Sequence, residues 1–303
     1  MSKVSVTVPA PLPSLGPGLN TIGLGLALHV HVEMSARLDD KLEITVTGEG
    51  QEALPLNLRN PVMRAATRVF QKKEIAPAGL SVSIENHIPL DVGLDTIAAF
   101  WMGGMVAANN LTGNSLDRDA LIQLGLEAGL IPEAIVTTLL GGLNVCMREA
   151  DGNIIYNSLE PPPLRVALVA PFLPDYKEKT KSALPQMVAL RDAVFNMNRL
   201  SFLMDALLDA DYELLEKTLQ DRLYQEAFTT HIPGYEDVIH VAKSQGAAAV
   251  TLVGRGPALL VFASYNHNII ANAMVEAFQD AGVDECRFWT VPLDGQGVMI
   301  SLS

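Results

Sequence analysis

The sequence predicts an α+β fold in two parts of similar size, residues 1–158 and 159–303. Three observations carry that prediction. Segments that alternate apolar and polar residues, such as Lys41-Leu-Glu-Ile-Thr-Val-Thr47, interleave along the whole chain with segments of helical spacing, such as Pro61 to Lys73. The run Pro161-Pro162-Pro163 reads as a linker between the two parts. The chain has 303 residues, 49% of them hydrophobic, enough for one large core or two fused ones.

The elements follow in order. Met1 to Pro9 alternates like a first strand rather than like a targeting segment. His29 and His31 alternate within a second strand-like segment, and 41–47 is a third. Pro61 to Lys73 is a helix with Asn60 as N-cap, because asparagine accepts from the first free N–H groups and proline tolerates the first helical position. Leu80 to Glu85 is a strand. Asp95 to Asn110 is almost wholly apolar and reads as a buried helix. Leu121 to Leu140 is one or two helices stopped by Gly141-Gly142. Residues 144–148 and 154–157 pair as a hairpin around Asp151-Gly152. After the prolines come a buried strand (164–170) and helical stretches at 184–209, 211–227 and 235–245. Strands at 247–252 and 259–264, a helix at 267–281 and two last strands near 286–291 and 297–302 complete the chain.

Composition excludes several functions. Net charge is −13 and no basic run is interleaved with aromatics, so nucleic acid is not an expected partner. An acidic surface also repels an anionic membrane, and no apolar run is long enough to span a bilayer. The two cysteines and six histidines form no metal-ligand spacing; Cys146 and Cys286 read as buried free thiols in a cytoplasmic protein, and His29 and His31 as structural.

The segment Ile88-Pro-Leu-Asp-Val-Gly-Leu-Asp-Thr-Ile-Ala-Ala-Phe100 has the frame of a phosphate-cradling loop running into a helix, where backbone N–H groups approach an anion at the positive helix end. Around it, Pro9-Ala-Pro-Leu-Pro-Ser-Leu-Gly-Pro-Gly-Leu-Asn-Thr-Ile-Gly-Leu-Gly-Leu26 is similar to the opening P-A-T-S-A-N-L-G-P-G-F-D-T-L-G-L-A-L of the homoserine kinases. The loop is similar to their I-P-L-G-R-G-L-G-S-S-A-A, and Leu139-Leu-Gly-Gly-Leu143 to the end of their G-H-P-D-N-V-A-P-A-L-L-G-G-L. Asp192-Ala-Val-Phe-Asn196, Asp221-Arg-Leu-Tyr-Gln225, Ile232-Pro-Gly234 and Gly254-Arg-Gly-Pro257 follow in the family's order. The chain thus resembles the homoserine kinases, members of the GHMP small-molecule kinases, nearly end to end. The resemblance implies an N-terminal domain with the ribosomal-protein-S5-like fold, a ferredoxin-like C-terminal domain, a homodimer, and ATP-dependent phosphorylation of homoserine in threonine biosynthesis.

The resemblance also assigns positions. The nucleotide falls on Asn60 and on Asp91, Val92, Gly93, Leu94, Asp95, Thr96 and Ile97; magnesium on Thr96 and Glu127; the acceptor on Ser14, Asn20, Ile131, Lys181 and Phe228. Many of these depart from the family. Asp91 and Asp95 stand where the loop has glycines, Val92 where it has a basic residue, and Ile97 where it has a serine. Two unit charges about 4 Å apart near a surface repel by roughly 4 kcal/mol, on the order of a thousandfold in ATP affinity. The arginines that would grip the homoserine carboxylate are Lys181 and Phe228, which lose the bidentate fork. Asp95 reads as a helix cap, or with Asp91 as a direct magnesium ligand; Arg255 as an ion-pair partner for either. Val92, Ile97, Ile131 and Phe228 are expected to line an apolar cleft. No residue receives a catalytic role. Two functions stay open: a degenerate homoserine kinase homologue with a binding or regulatory role and no cofactor, or an active kinase for homoserine or another small alcohol using ATP and a rearranged magnesium site.

Overall fold

The computed structural model describes residues 3–302. The first part contains β1 (Lys3–Pro13), β2 (Ile22–Arg37), β3 (Leu42–Gly48), α1 (Pro61–Lys73), β4 (Gly79–Asn86), α2 (Thr96–Leu111), α3 (Arg118–Glu127), α4 (Pro132–Leu140), β5 (Leu143–Arg148) and β6 (Ile154–Leu159). The second contains β7 (Arg165–Pro171), α5 (Tyr176–Thr180), α6 (Leu190–Asp209), α7 (Tyr212–Thr218), α8 (Gln225–Thr229), α9 (Tyr235–Ser244), β8 (Ala249–Leu252), β9 (Leu259–Phe262), α10 (His267–Asp280), β10 (Cys286–Pro292) and β11 (Met299–Leu302).

The first sheet runs β11-β1-β2-β4-β3, with β5 branching from β2 and carrying β6. Its β3–β4 pair is parallel; its other pairs are antiparallel. β1 is rich in proline, which cannot donate to a ladder, and the register shifts between Pro9 and Ala10. On β2 the alternation is clean. Val30, Val32 and Met34 are buried, while His29, His31 and Glu33 point to the other face and are only partly covered.

Helices α1 and α2 pack together and α2 lies on β1 and β2. Asn60 caps α1 by accepting from Val62 N at 3.0 Å. Gly104 sits so close to α1 that a Cβ there would stand 2.2 Å from Val62 O. Lys73 Nζ donates to Thr112 O at 2.6 Å, tying the C-terminal ends of both helices.

The second sheet, β10-β7-β9-β8, is antiparallel, and its central strands β7 and β9 are buried on both faces while the edge strand β10 is only partly covered. Val166, Leu168 and Ala170 of β7 join the large core of the first part; Ala167 and Val169 join a second core under α9 and α10. That double burial explains the unbroken apolar run read from the sequence. The chain end then returns to the first sheet, where β11 pairs with β1. A turn at 293–298 holds that return in place: Gly142 N donates to Asp294 O at 2.6 Å and Asp294 N to Gly25 O at 2.9 Å. Burial alone would raise the proton affinity of the Asp294 carboxylate. His29, 2.7 Å away, and the N–H groups of Gly297 and Gln296 outweigh it and lower it.

Three sequence expectations are refined. The 121–140 stretch is two helices, because Pro132 takes the first position of α4 after the Gly129 turn. The 211–227 stretch is likewise two, broken where the Asp221 carboxylate accepts from the N–H groups of Leu223, Tyr224 and Gln225. Cys146 is buried but Cys286 only half-buried; both are free, and burial pushes each thiol up to about 12.

Candidate functional site

The 88–97 loop is a rigid corner. Asn86 Oδ1 accepts from Ile88 N, and its Nδ2 donates to Ile88 O and Glu49 O, each at 2.9 Å. Val92 and Leu94 are buried in the large core. Between them Gly93 has φ +105° and rests on the 253–256 turn, while Ala258 N donates to Val92 O at 3.2 Å. Asp95 N donates to Pro11 O, and the Asp95 carboxylate accepts from Ala98 N at 3.0 Å, capping α2. The Thr96 hydroxyl is buried and donates to Pro89 O at 3.1 Å. The positive end of α2 is therefore already met by a carboxylate of the chain itself.

Beside this corner lies the 14–20 turn. Ser14 and Asn20 both adopt positive φ, and Ser14 Oγ accepts from Asn20 N at 3.0 Å. Tyr224 OH donates to Ser14 O at 2.9 Å and Asn196 Nδ2 to Pro17 O at 3.5 Å, so α6 and α8 clamp the turn from the second part of the chain. Glu133, in the first turn of α4, is fully buried. Its Oε1 accepts from Ser14 Oγ at 3.5 Å, and its Oε2 has no hydrogen-bond partner among the described residues.

The model of the GHMP kinases N terminal domain matches residues 60–147. Homoserine kinase of Moorella thermoacetica is 35% identical over 92% of this chain and 93% of its own length. Homoserine kinase of Carboxydothermus hydrogenoformans is 33% identical over 95% of this chain and 94% of its own. The chain belongs to the homoserine kinase family. A crystal structure of homoserine kinase from Cytophaga hutchinsonii, 22% identical, superposes with a TM-score of 0.84, covering 99% of this chain and 97% of that one. The α+β architecture is thus that of the GHMP kinases.

Several homoserine-kinase positions sit elsewhere than the sequence suggested. Ile97 is 48% exposed, whereas Val92 and Phe228 are packed into the two cores. Phe228 stands edge-on to Tyr224, ring centroids 6.2 Å apart. Only Ile131, part-exposed ahead of α4, is left of the expected apolar cleft lining. Arg255 pairs with neither loop acid: its Nη2 donates to Asn20 Oδ1 at 3.3 Å, while exposed Asp91 pairs with Lys177 at 3.4 Å. Arg255 extends toward solvent over the acceptor turn, and the part-buried Asp95 spends its carboxylate on Ala98 N. Lys181 is exposed just after α5, and Glu127 is exposed on the last turn of α3. Asn60 is fully buried, with Oδ1 on Val62 N and Nδ2 on Pro55 O, so its amide serves the helix start.

These residues do not fit ATP and magnesium as the family pattern would hold them. The Thr96 hydroxyl is spent on a carbonyl, Glu127 stands in solvent, and Asp95 fills the anion seat. Among the described residues no group of three or more His, Cys, Asp or Glu is placed to hold a metal ion, and no helix is long and apolar enough to cross a membrane.

Sequence reasoning missed Glu133. A glutamate right after a helix-starting proline reads as a solvated first-turn acid that favours the helix dipole. The signal lay in the alignment, since Leu130-Ile-Pro-Glu-Ala134 keeps an acid where the family's G-H-P-D-N has its aspartate. Burial raises the proton affinity of Glu133; its own N–H and Ser14 Oγ oppose that, Asp95 adds to it and Arg255 opposes it. Asp95 is raised as well, by burial, against the hydrogen bond from Ala98 N. Fully buried Glu133 and part-buried Asp95 thus both face the site with their proton affinities raised by burial.

Proposed function

We propose that this homoserine kinase homologue has lost most or all of the ATP-dependent phosphorylation of homoserine and keeps the fold for a binding or regulatory role, as a homodimer in the cytoplasm. The single observation behind this reading is the Asp95 carboxylate on the Ala98 N–H in the first turn of α2. A triphosphate arriving there meets negative charge and loses the helix end as a donor. The division into a GHMP N-terminal domain (1–158) and a C-terminal domain (159–303) belongs to the same reading. Gel filtration with light scattering tests the homodimer; a monomer at all concentrations removes it.

Isothermal titration with ATP and magnesium tests the loss. The expected result is no binding tighter than about a millimolar, equivalent to roughly 4 kcal/mol, and no turnover of homoserine. Tighter binding accompanied by turnover rejects the proposal. The double variant Asp95→Gly with Ile97→Ser removes the charge and returns a hydroxyl, and a gain of about a thousandfold in ATP affinity is expected from roughly 4 kcal/mol of relieved repulsion.

A second reading has its own observation. Glu133, buried, short of one partner and biased toward holding a proton, stands beside Ser14 at the acceptor turn. In its ionised form a carboxylate of raised proton affinity is the stronger base, and there it suits an active kinase for homoserine or another small alcohol, accepting the proton that the hydroxyl loses as its oxygen attacks the transferred phosphoryl group, with magnesium held in a rearranged way. Homoserine-dependent ADP release, abolished by Glu133→Gln, would favour this reading over the first.

A further inference from the structure

Away from the loop, a cavity of about 600 Å³ opens between the 48–53 turn and the second sheet. Leu28 of β2 forms an apolar wall, Trp289 of β10 faces the turn, and Glu49, Glu52, Asn86 and His87 supply the polar lining. None of the residues 91–97 lines it.

Its charges are unbalanced. Arg287, two residues before Trp289 on β10, is hydrogen-bonded to Glu49 of the lining and lies 4.7 Å over the Trp289 ring centroid. His87 lies 3.0 Å from Glu85. Both basic groups at the cavity therefore have their own carboxylates. Glu52 has no ion-pair partner among the described residues, and the Trp289 indole N–H has no hydrogen-bond acceptor there. The wall thus carries one uncompensated negative charge beside an aromatic ring that already receives a guanidinium.

We propose that this cavity binds a small organic cation, an ammonium or guanidinium group on a short apolar body. The cation meets Glu52 and the Trp289 ring, and its body lies against Leu28. An aromatic ring, an unpaired carboxylate and an apolar side chain lining one cavity favour such ions, and the acidic lining disfavours phosphates and carboxylates. The site borders the 88–97 corner through Asn86 but shares none of residues 91–97, and its ligand has the opposite charge to a nucleotide.

Choline and spermidine are the probes, titrated into the full-length protein at constant ionic strength. Tryptophan emission is followed, with calorimetry alongside; the second tryptophan, Trp101, is buried on α2 with Arg64 of α1 over its ring and serves as an internal reference. A saturable change with at least one cation is expected. It should weaken by about tenfold in Trp289→Leu and about threefold in Glu52→Gln, and excess ATP should leave it unchanged. Because Glu52 is exposed, its glutamine variant keeps the fold and decides the matter even if Trp289→Leu is unstable. No saturation with either cation, equal affinity in Glu52→Gln, or displacement by ATP overturns the proposal. Displacement by ATP would also contradict the loss of nucleotide binding; the other two outcomes leave that reading untouched.

Discussion

Gly93→Ala is expected to destabilise the protein by about 4 kcal/mol or more, enough to leave a large unfolded fraction at ambient temperature. A Cβ at Gly93 would stand 2.0 Å from Val253 O and 2.8 Å from Gly256 N. Both contacts are with backbone, so no rotamer change relieves them. The φ of +105° adds conformational strain that only glycine avoids. Relief would require separating the 91–94 loop from the 253–256 turn, which breaks the Ala258 N to Val92 O bond and uncovers Val92 and Leu94. Urea denaturation followed by far-UV circular dichroism measures the effect. A midpoint that moves by the equivalent of less than about 1 kcal/mol would mean that the two segments are not locked together. Asp91→Ala, two residues away, is the contrast. Its ion pair with Lys177 joins two largely exposed groups, so the pair itself contributes little, and the cost expected is the roughly 1 kcal/mol of placing alanine at its left-handed φ of 58°.

That contrast bears on why a phosphate loop can persist without its chemistry. Gly93, Val92 and Leu94 are fixed by packing against the second part of the chain, and Asn86 and Thr96 by hydrogen bonds to loop carbonyls. None of these constraints needs an anion. The glycine is held by sterics, whereas Asp91 and Ile97 have exposed side chains, Asp91 being constrained only by its left-handed backbone. A loop stabilised in this way can lose its ligand and keep its shape.

Much of this was legible in the sequence, for identifiable reasons. The start of α1 followed from Asn60-Pro61, and the buried course of α2 from its unbroken apolar run, because caps and hydrophobic periodicity are local signals. The Asp95 cap was legible for the same reason. The pairing of β11 with β1 was not, since a short terminal strand carries no mark of its partner. Nor was the facing of single side chains: Ile97 and Phe228 were expected in one cleft, yet Ile97 is exposed and Phe228 lies under α9 and α10. A family alignment places a residue on an element, but the direction of its side chain depends on packing partners distant in sequence. Glu133 was hidden by the same limit. Its position suggested solvent, and only the closure of the 14–20 turn over α4 shows it to be enclosed.

Glu133→Gln is expected to make the protein more stable at neutral and alkaline pH by about 1–3 kcal/mol and to change it little in acid. The sign follows from linkage. Burial raises the proton affinity of Glu133 in the folded protein above its ordinary value of 4.5. Between those two values the folded state holds a proton that the unfolded chain has released, so stability falls as pH rises through that window and then levels off. Below the ordinary value both states are protonated and the penalty vanishes. Glutamine cannot ionise, so the variant should lack this decline while keeping an oxygen for Ser14 Oγ. Urea denaturation from about pH 5 to about pH 8 separates the outcomes: a gain that grows with pH supports an enclosed, reluctantly ionised carboxyl. A loss at every pH would show instead that Glu133 is ionised in the fold and neutralised there, with Arg255, the cation that lowers its proton affinity, as the group responsible. The same variant then bears on function. A carboxyl that only costs stability is a remnant, whereas one whose removal also stops homoserine-dependent ADP release is retained for the acceptor hydroxyl.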